Sequence, residues 1–192
     1  MSIVKLKNPK TTQYHNIKKL ILSDVLSWTY LKETTPSTNN LLNEYEEEVK
    51  KYIKEGVEIH NPPMYSHIFL LRTDLNNLYA KANSPYMDDV NKMYCEIFND
   101  NMDVMKSFNM MCRCAVNAVQ PYEKEDTITV PHTDHDFPHK NMLIYLTDAG
   151  GSTFVEGEEF APEEDDVIIF EGLHWHQLPK HKRRVVLVMT YI

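Results

Sequence analysis

The chain has 192 residues, 42% hydrophobic and 25% charged, which suits one domain with a sizeable core. Its formal net charge of −8 argues against broad contact with a nucleic-acid backbone, which needs clustered Lys and Arg. No stretch approaches the roughly 18 apolar residues of a membrane span, and Met1 to Lys7 lacks the apolar run of a signal peptide, so a soluble cytoplasmic protein is expected.

In chain order, the apolar run Ile17 to Trp28 fits either a helix or a strand, and Thr34 to Asn40 is rich in turn residues. Leu42, Tyr45, Val49, Tyr52 and Ile53 recur at helical spacing, with Gly56 as a stop. His60 to Pro63 reads as a loop and Ser66 to Leu71 as a short strand. Asp88 to Phe98 predicts a helix that turns Val90, Tyr94, Ile97 and Phe98 to a core, with Asp88 and Asp89 at its positive end.

After residue 105 the pattern changes to strand and turn. Strands are expected near 109–119, 126–130, 141–147, 153–155, 167–170 and 184–191, separated by turns such as Gly150-Gly151 and Glu156-Gly157. Strands at this density predict a mainly β fold with flanking helices and a jelly-roll core. The expectation is a single domain, 1–192, with a helical or mixed supporting region over about 1–105 and the catalytic core over about 106–192. Three cysteines, Cys95, Cys112 and Cys114, give no even disulfide framework. Cys112 and Cys114 read as reduced thiols on one face of a strand.

The residues that suggest chemistry lie in the second half. His132-Thr133-Asp134 is a His-x-Asp pair, and side chains at i and i+2 of a strand are close enough to share one metal ion. Two histidines and one carboxylate on one face suit Fe(II) and leave metal positions open. If the strand Thr127 to Val130 continues, Ile128, Val130, His132 and Asp134 share a face. The third ligand must come from another strand, and His174 and His176 have the same parity. Arg184 heads a final apolar strand, and a guanidinium pointing inward there needs a carboxylate partner. His135, His139 and His181 read as surface residues or margins of the site. No nucleophile elbow occurs, and the five glycines form no phosphate loop.

These residues resemble the Fe(II)- and 2-oxoglutarate-dependent oxygenase superfamily, most closely its prolyl 4-hydroxylase-like branch. The resemblance spans about residues 109–192 and rests on Pro131 to His135, Met142 to Asp148, Gly150 to Phe154, Ile168 to Leu173, His176 and Arg184 to Leu187. It implies a double-stranded β-helix in which His132, Asp134 and His176 hold iron and Arg184 pairs with the far carboxylate of 2-oxoglutarate. Compact relatives read Phe-x-Gly-Leu-x-x-His before the distal ligand, which points to His176. Tyr145, Asn117 and Thr190 are candidates to assist the cosubstrate, and Arg113 is either structural or faces the substrate.

The implied reaction is hydroxylation of a peptidyl or free amino acid, or another small substrate, by O2. Succinate and CO2 are the coproducts, and ascorbate is the implied reductant. Two departures stand out: Arg183 adjoins Arg184, and the Arg falls slightly closer to the distal His than is usual in the family. The acidic stretches Glu156 to Glu159 and Glu163 to Asp166 read as solvated turns, with a bias towards cationic substrates as the other reading. The alternative functions are a cupin-like metalloprotein of another chemistry and a non-catalytic jelly-roll binding module.

Overall fold

A computed structural model describes residues 3–35, 50–72, 80–105, 108–124 and 126–192. The first half contributes β1 (Val4–Leu6), α1 (Thr12–Leu22), β2 (Thr29–Leu31), β3 (Glu58–His60), β4 (Met64–Leu71), β5 (Lys81–Ala82) and α2 (Met87–Asp100). The second half is strand after strand: β6 (Met111–Val119), β7 (Thr127–Thr129), β8 (Lys140–Tyr145), β9 (Thr153–Val155), β10 (Glu158–Phe160), β11 (Val167–Phe170), β12 (His174–His176) and β13 (Arg184–Tyr191).

The core is a jelly roll. One sheet runs β1-β11-β8-β13-β6-β4-β2, with β5 on the far end of β4. Facing it, β10-β9-β12 forms a smaller sheet, and β7 pairs in parallel with β3. Isolated bridges from Ile128 to Gln177 and from His132 to His174 join β7 and the segment after it to β12. Gly151, at φ +91°, makes the turn before β9 tight: a Cβ there would sit 2.8 Å from the carbonyl oxygens of Gln177 and Leu178.

Two helices cover the outer face of the large sheet. The Thr11 side chain caps α1 by accepting from the Tyr14 N–H at 3.1 Å, and Tyr14, Ile17 and Ile21 then fall on one buried stripe. Asp88 and Asp89 occupy the first turn of α2, whose Val90, Met93, Tyr94 and Ile97 face the same core. These side chains pack on Cys114, Val116, Met142, Ile144, Leu187 and Met189 of the sheet. Cys112 and Cys114 are both buried.

The first half is less helical than its sequence suggests. The run Ile17 to Trp28 divides: α1 ends at Leu22, and the chain bends before β2. Strands β1, β2 and β4 extend the large sheet, with β1 on β11 and β4 on β6. Three-residue strands carry too little alternation to register in a sequence pattern. The helix expected over Leu42 to Ile53 lies mostly outside the described residues; Tyr52 and Ile53 are in turn and bend. Among the described residues, no helix is long and apolar enough to cross a membrane.

Candidate metal centre

The His-x-Asp segment leaves β7 at Thr129, because Pro131 has no N–H to continue a ladder. The expected parity slips there. Thr129, His132 and Asp134 line the cavity between the sheets, whereas Ile128 and Val130 are buried elsewhere. Beyond the break, His132 re-pairs across to β12. Its N–H donates to the His174 carbonyl at 2.9 Å, and the His174 N–H donates back to the His132 carbonyl at 3.0 Å. That reciprocal pair sets the two imidazoles side by side, with ring centroids 4.4 Å apart.

Local hydrogen bonds fix both rings. His132 Nδ1 lies 2.9 Å from the Val130 carbonyl, and His174 Nδ1 lies 3.2 Å from the Gly172 carbonyl. A carbonyl only accepts, so each Nδ1 carries the proton and each Nε2 keeps its lone pair. Asp134 Oδ2 stands 3.7 Å from His174 Nε2. Its Oδ1 accepts from Arg113 at 2.6 Å and from Arg72 at 3.2 Å, and Arg72 also reaches the Asp134 carbonyl. Ligand atoms of His132, Asp134 and His174 all lie within 4.8 Å of one another, a His/Asp/His group that fits a metal site.

The electrostatics suit a cation. Burial lowers the pKa of His132 below its ordinary value and lowers that of His174 to about 3, so both rings are neutral donors. Burial works against the Asp134 charge, but the guanidiniums of Arg113 and then Arg72 outweigh it and hold the carboxyl well below the usual range. Neutral imidazoles beside an ionised carboxylate are the protonation states a divalent metal requires.

The structure thus groups His174, rather than the expected His176, with His132 and Asp134. His176 lies further round the cavity, its ring centroid 6.3 Å from that of His132. Its Nδ1 lies 2.8 Å from Thr153 Oγ1, which in turn lies 2.5 Å from the Tyr145 hydroxyl. Burial, and then the positive charge of Arg184, lower the His176 pKa well below its ordinary value. Burial raises that of Tyr145 to about 12.

Arg184 is 4% exposed and lines the same cavity, and its Nη1 donates to the Gln177 carbonyl at 2.8 Å. Arg183 points outward and lies over the Trp28 ring. Asn117 faces the cavity, its Oδ1 accepting from Ser66 at 2.8 Å. Thr190 is buried past the cavity wall, bonded at 2.7 Å to His135 Nε2. His135 and His139 are buried rather than at the surface, and His181 is exposed. The sequence reading missed Arg72, which follows β4, and gave no role in the site to Thr153, which lies in the Gly150 to Phe154 stretch of the resemblance and bridges Tyr145 and His176. Arg72 carries no motif and enters through a bulge between Ile68 and Leu70 that re-aims the end of β4.

No protein-family model matches the chain, and no curated protein matches it. Among solved structures, it resembles an oxidoreductase of the 2OG-Fe(II) oxygenase family from Burkholderia pseudomallei, at 14% identity and a TM-score of 0.54 over 98% of this chain and 95% of that one. The chain has the fold of that oxygenase. A prolyl-4-hydroxylase from Pseudomonas putida matches at 13% identity and a TM-score of 0.39, over 94% of this chain and 99% of that one. A cupin domain of a transcriptional regulator from Enterobacter cloacae matches at 11% identity and a TM-score of 0.35, over 42% of this chain and 80% of that one.

Proposed function

We propose that this chain is an Fe(II)- and 2-oxoglutarate-dependent dioxygenase of the prolyl 4-hydroxylase-like kind. Its substrate is a peptidyl or free amino acid or another small molecule, and its coproducts are succinate and CO2. The observation that carries the reading is one cavity of about 330 Å³ lined by both the His/Asp/His group and a buried arginine. In this assignment His132, Asp134 and His174 hold the iron. When bound, iron and 2-oxoglutarate together supply the oxidising power for hydroxylation by O2, with ascorbate keeping the metal reduced.

The protein's own residues position and shield. Gly172 and Val130 orient the two imidazoles through their carbonyls. Arg184 offers a planar pair of donors to the far carboxylate of the cosubstrate, and no carboxylate among the described residues competes for it. His176, tied through Thr153 to Tyr145, supplies a polar wall beside Arg184, and Asn117 adds a further polar group. Leu143, Val186 and Val188 line the remaining wall and exclude water.

The test is an anaerobic titration of the Fe(II)-loaded protein with 2-oxoglutarate, following the weak visible charge-transfer absorption of the metal-chelated cosubstrate. The band is expected in the wild type and in His176→Ala, and its loss, with loss of iron, in His174→Ala. The reverse pattern would return the third ligand to His176. Iron that loads without a band would point to another jelly-roll metal chemistry, and no iron binding at all to a binding module.

A further inference from the structure

We propose that cosubstrate binding reverses the hydrogen-bond chain from Tyr145 through Thr153 to His176, and so turns His176 Nε2 into an acceptor for an O–H or N–H group on the substrate. The inference rests on the function proposed above and names a chemical feature of its substrate. The Tyr145 hydroxyl lies 2.5 Å from Thr153 Oγ1, which lies 2.8 Å from His176 Nδ1. Thr153 is fully buried, and its hydroxyl has no third partner among the described residues. It has one proton to give. If that proton goes to His176, Tyr145 must donate to Thr153. If it goes to Tyr145, His176 Nδ1 must donate to Thr153. The chain therefore has two polarities. Tyr145 and His176 both line the cavity. With Nδ1 turned to Thr153, Nε2 is the ring nitrogen left for the cavity, and it has no hydrogen-bond partner among the described residues.

What sits on Arg184 selects between the two. Burial raises the Tyr145 pKa, and the Thr153 bond and the Arg184 charge act against it, so the phenol keeps its proton at neutral pH while its oxygen feels the guanidinium. Before a carboxylate arrives, the guanidinium favours the lone pairs of that oxygen. Tyr145 then donates to Thr153, Thr153 donates to His176 Nδ1, and Nε2 carries the ring proton. A carboxylate paired with Arg184 only accepts, and it draws the phenol proton towards itself. Thr153 then donates to Tyr145, His176 Nδ1 donates to Thr153, and Nε2 keeps its lone pair. The imidazole is neutral in both arrangements: Nε2 gives one proton to water and Nδ1 takes one back, with no net transfer. The backbone holds His176 in place for this, its N–H donating to Thr129 Oγ1 at 2.9 Å. Much of the cavity wall is apolar, with Leu143, Val186 and Val188 among its residues. An acceptor set in such a wall discriminates against a substrate that leaves it unmatched.

The experiment uses the Zn(II)-loaded protein with its histidine nitrogens isotope-labelled, so that NMR reports which ring nitrogen carries the proton. His176→Gln identifies the signal. Without cosubstrate the proton is expected on Nε2, and with saturating 2-oxoglutarate on Nδ1. Pyruvate, a keto acid without the far carboxylate, should leave it on Nε2. Thr153→Val and Tyr145→Phe barely change shape. Each should retain metal and, at saturation, 2-oxoglutarate, yet lose the response. 2-Butanol and 2-butanone, matched in size and differing in the O–H, are the substrate probes, read by ligand-observed NMR. In the 2-oxoglutarate complex the alcohol should bind about three- to tenfold more tightly than the ketone, and His176→Phe should remove the difference. A ring proton that stays on one nitrogen with and without 2-oxoglutarate, moves equally with pyruvate, or still moves in either chain variant would overturn the switch while the proposed function stands. Equal binding of alcohol and ketone would overturn the substrate feature. If 2-oxoglutarate itself does not load, the function falls and the switch falls with it.

Discussion

The two faces of the large sheet are built by the same strands and carry opposite chemistry. On β13, Val185, Leu187, Met189 and Tyr191 join the core under the helices. The alternate residues Arg184, Val186 and Val188 line the cavity. On β6, Cys114, Val116 and Ala118 face the helices while Arg113, Asn117 and Val119 face the cavity. On β8, Met142 and Ile144 oppose Leu143 and Tyr145 in the same way. On these three strands the outer face is apolar where two helices close it. The inner face keeps two guanidiniums, a phenol and an amide because a second sheet stands off from it and leaves a space. A period of two residues therefore separates the packing that holds the fold from the groups that do chemistry.

The sharpest way to break that separation is to mutate one residue on each side. Asp134→Ala should lower metal affinity by at least about 100-fold, judged against the smaller losses seen when residues behind metal ligands are removed, and should leave cooperative unfolding intact. Leu187→Ala, on the helix face of β13, should cost about 2–5 kcal/mol of stability and leave metal affinity unchanged. Equilibrium dialysis and denaturant unfolding read the two quantities separately. If Leu187→Ala lost metal while still folded, the two faces would not be independent.

A smaller effect tests the inner face alone. Arg184 is buried, and no carboxylate among the described residues pairs with it. Replacing it by Met should weaken 2-oxoglutarate binding by about 2–5 kcal/mol, the cost of taking one partner from a buried charge pair. Stability of the ligand-free protein should change little or rise, since an unmatched buried charge is removed. Arg183→Met, at the exposed neighbour, should leave 2-oxoglutarate binding as it was. A loss in that variant instead would mean that the alternation along β13 is read out of register.

How far the sequence carried this picture depended on where alternation stayed regular. β6, β8, β9, β11 and β13 lie where their apolar patterns put them, and Arg184 faces inward as its parity required. The pattern failed at Pro131, where the ladder stops, so Thr129 rather than Ile128 or Val130 shares the cavity with His132. It also could not separate His174 from His176, which share one face of β12. Their difference is set by the reciprocal backbone pair between His132 and His174, a long-range contact. One local clue did exist: Arg184 follows His176 more closely than the resembling family's pattern has it, and taking His174 widens the gap by two residues. Arg72 was illegible because its position depends on a bulge in β4.

The mildest test uses pH and again contrasts the two faces. Burial lowers the pKa of His132, His174 and His176 below the ordinary value of 6.5, that of His174 to about 3. In the unfolded chain these rings titrate near about 6.5. Between those values the unfolded state binds protons that the native rings do not, so acid favours unfolding. The stabilising contribution is thus complete above about 6.5 and is lost as pH falls towards the folded value. Asp134 acts in the same sense lower down, since its depressed pKa contributes above the ordinary 3.8 and fades below it. Metal-free protein should therefore lose stability from pH 7 to pH 5, by up to about 1.4 kcal/mol per pH unit for each ring kept neutral. His174→Gln should flatten the slope, and Leu187→Ala should lower the whole curve without changing it. Parallel curves for His174→Gln and wild type in urea unfolding with chelator would show that the native ring takes up its proton as freely as the unfolded one, and would remove the neutral donor on which the metal assignment depends.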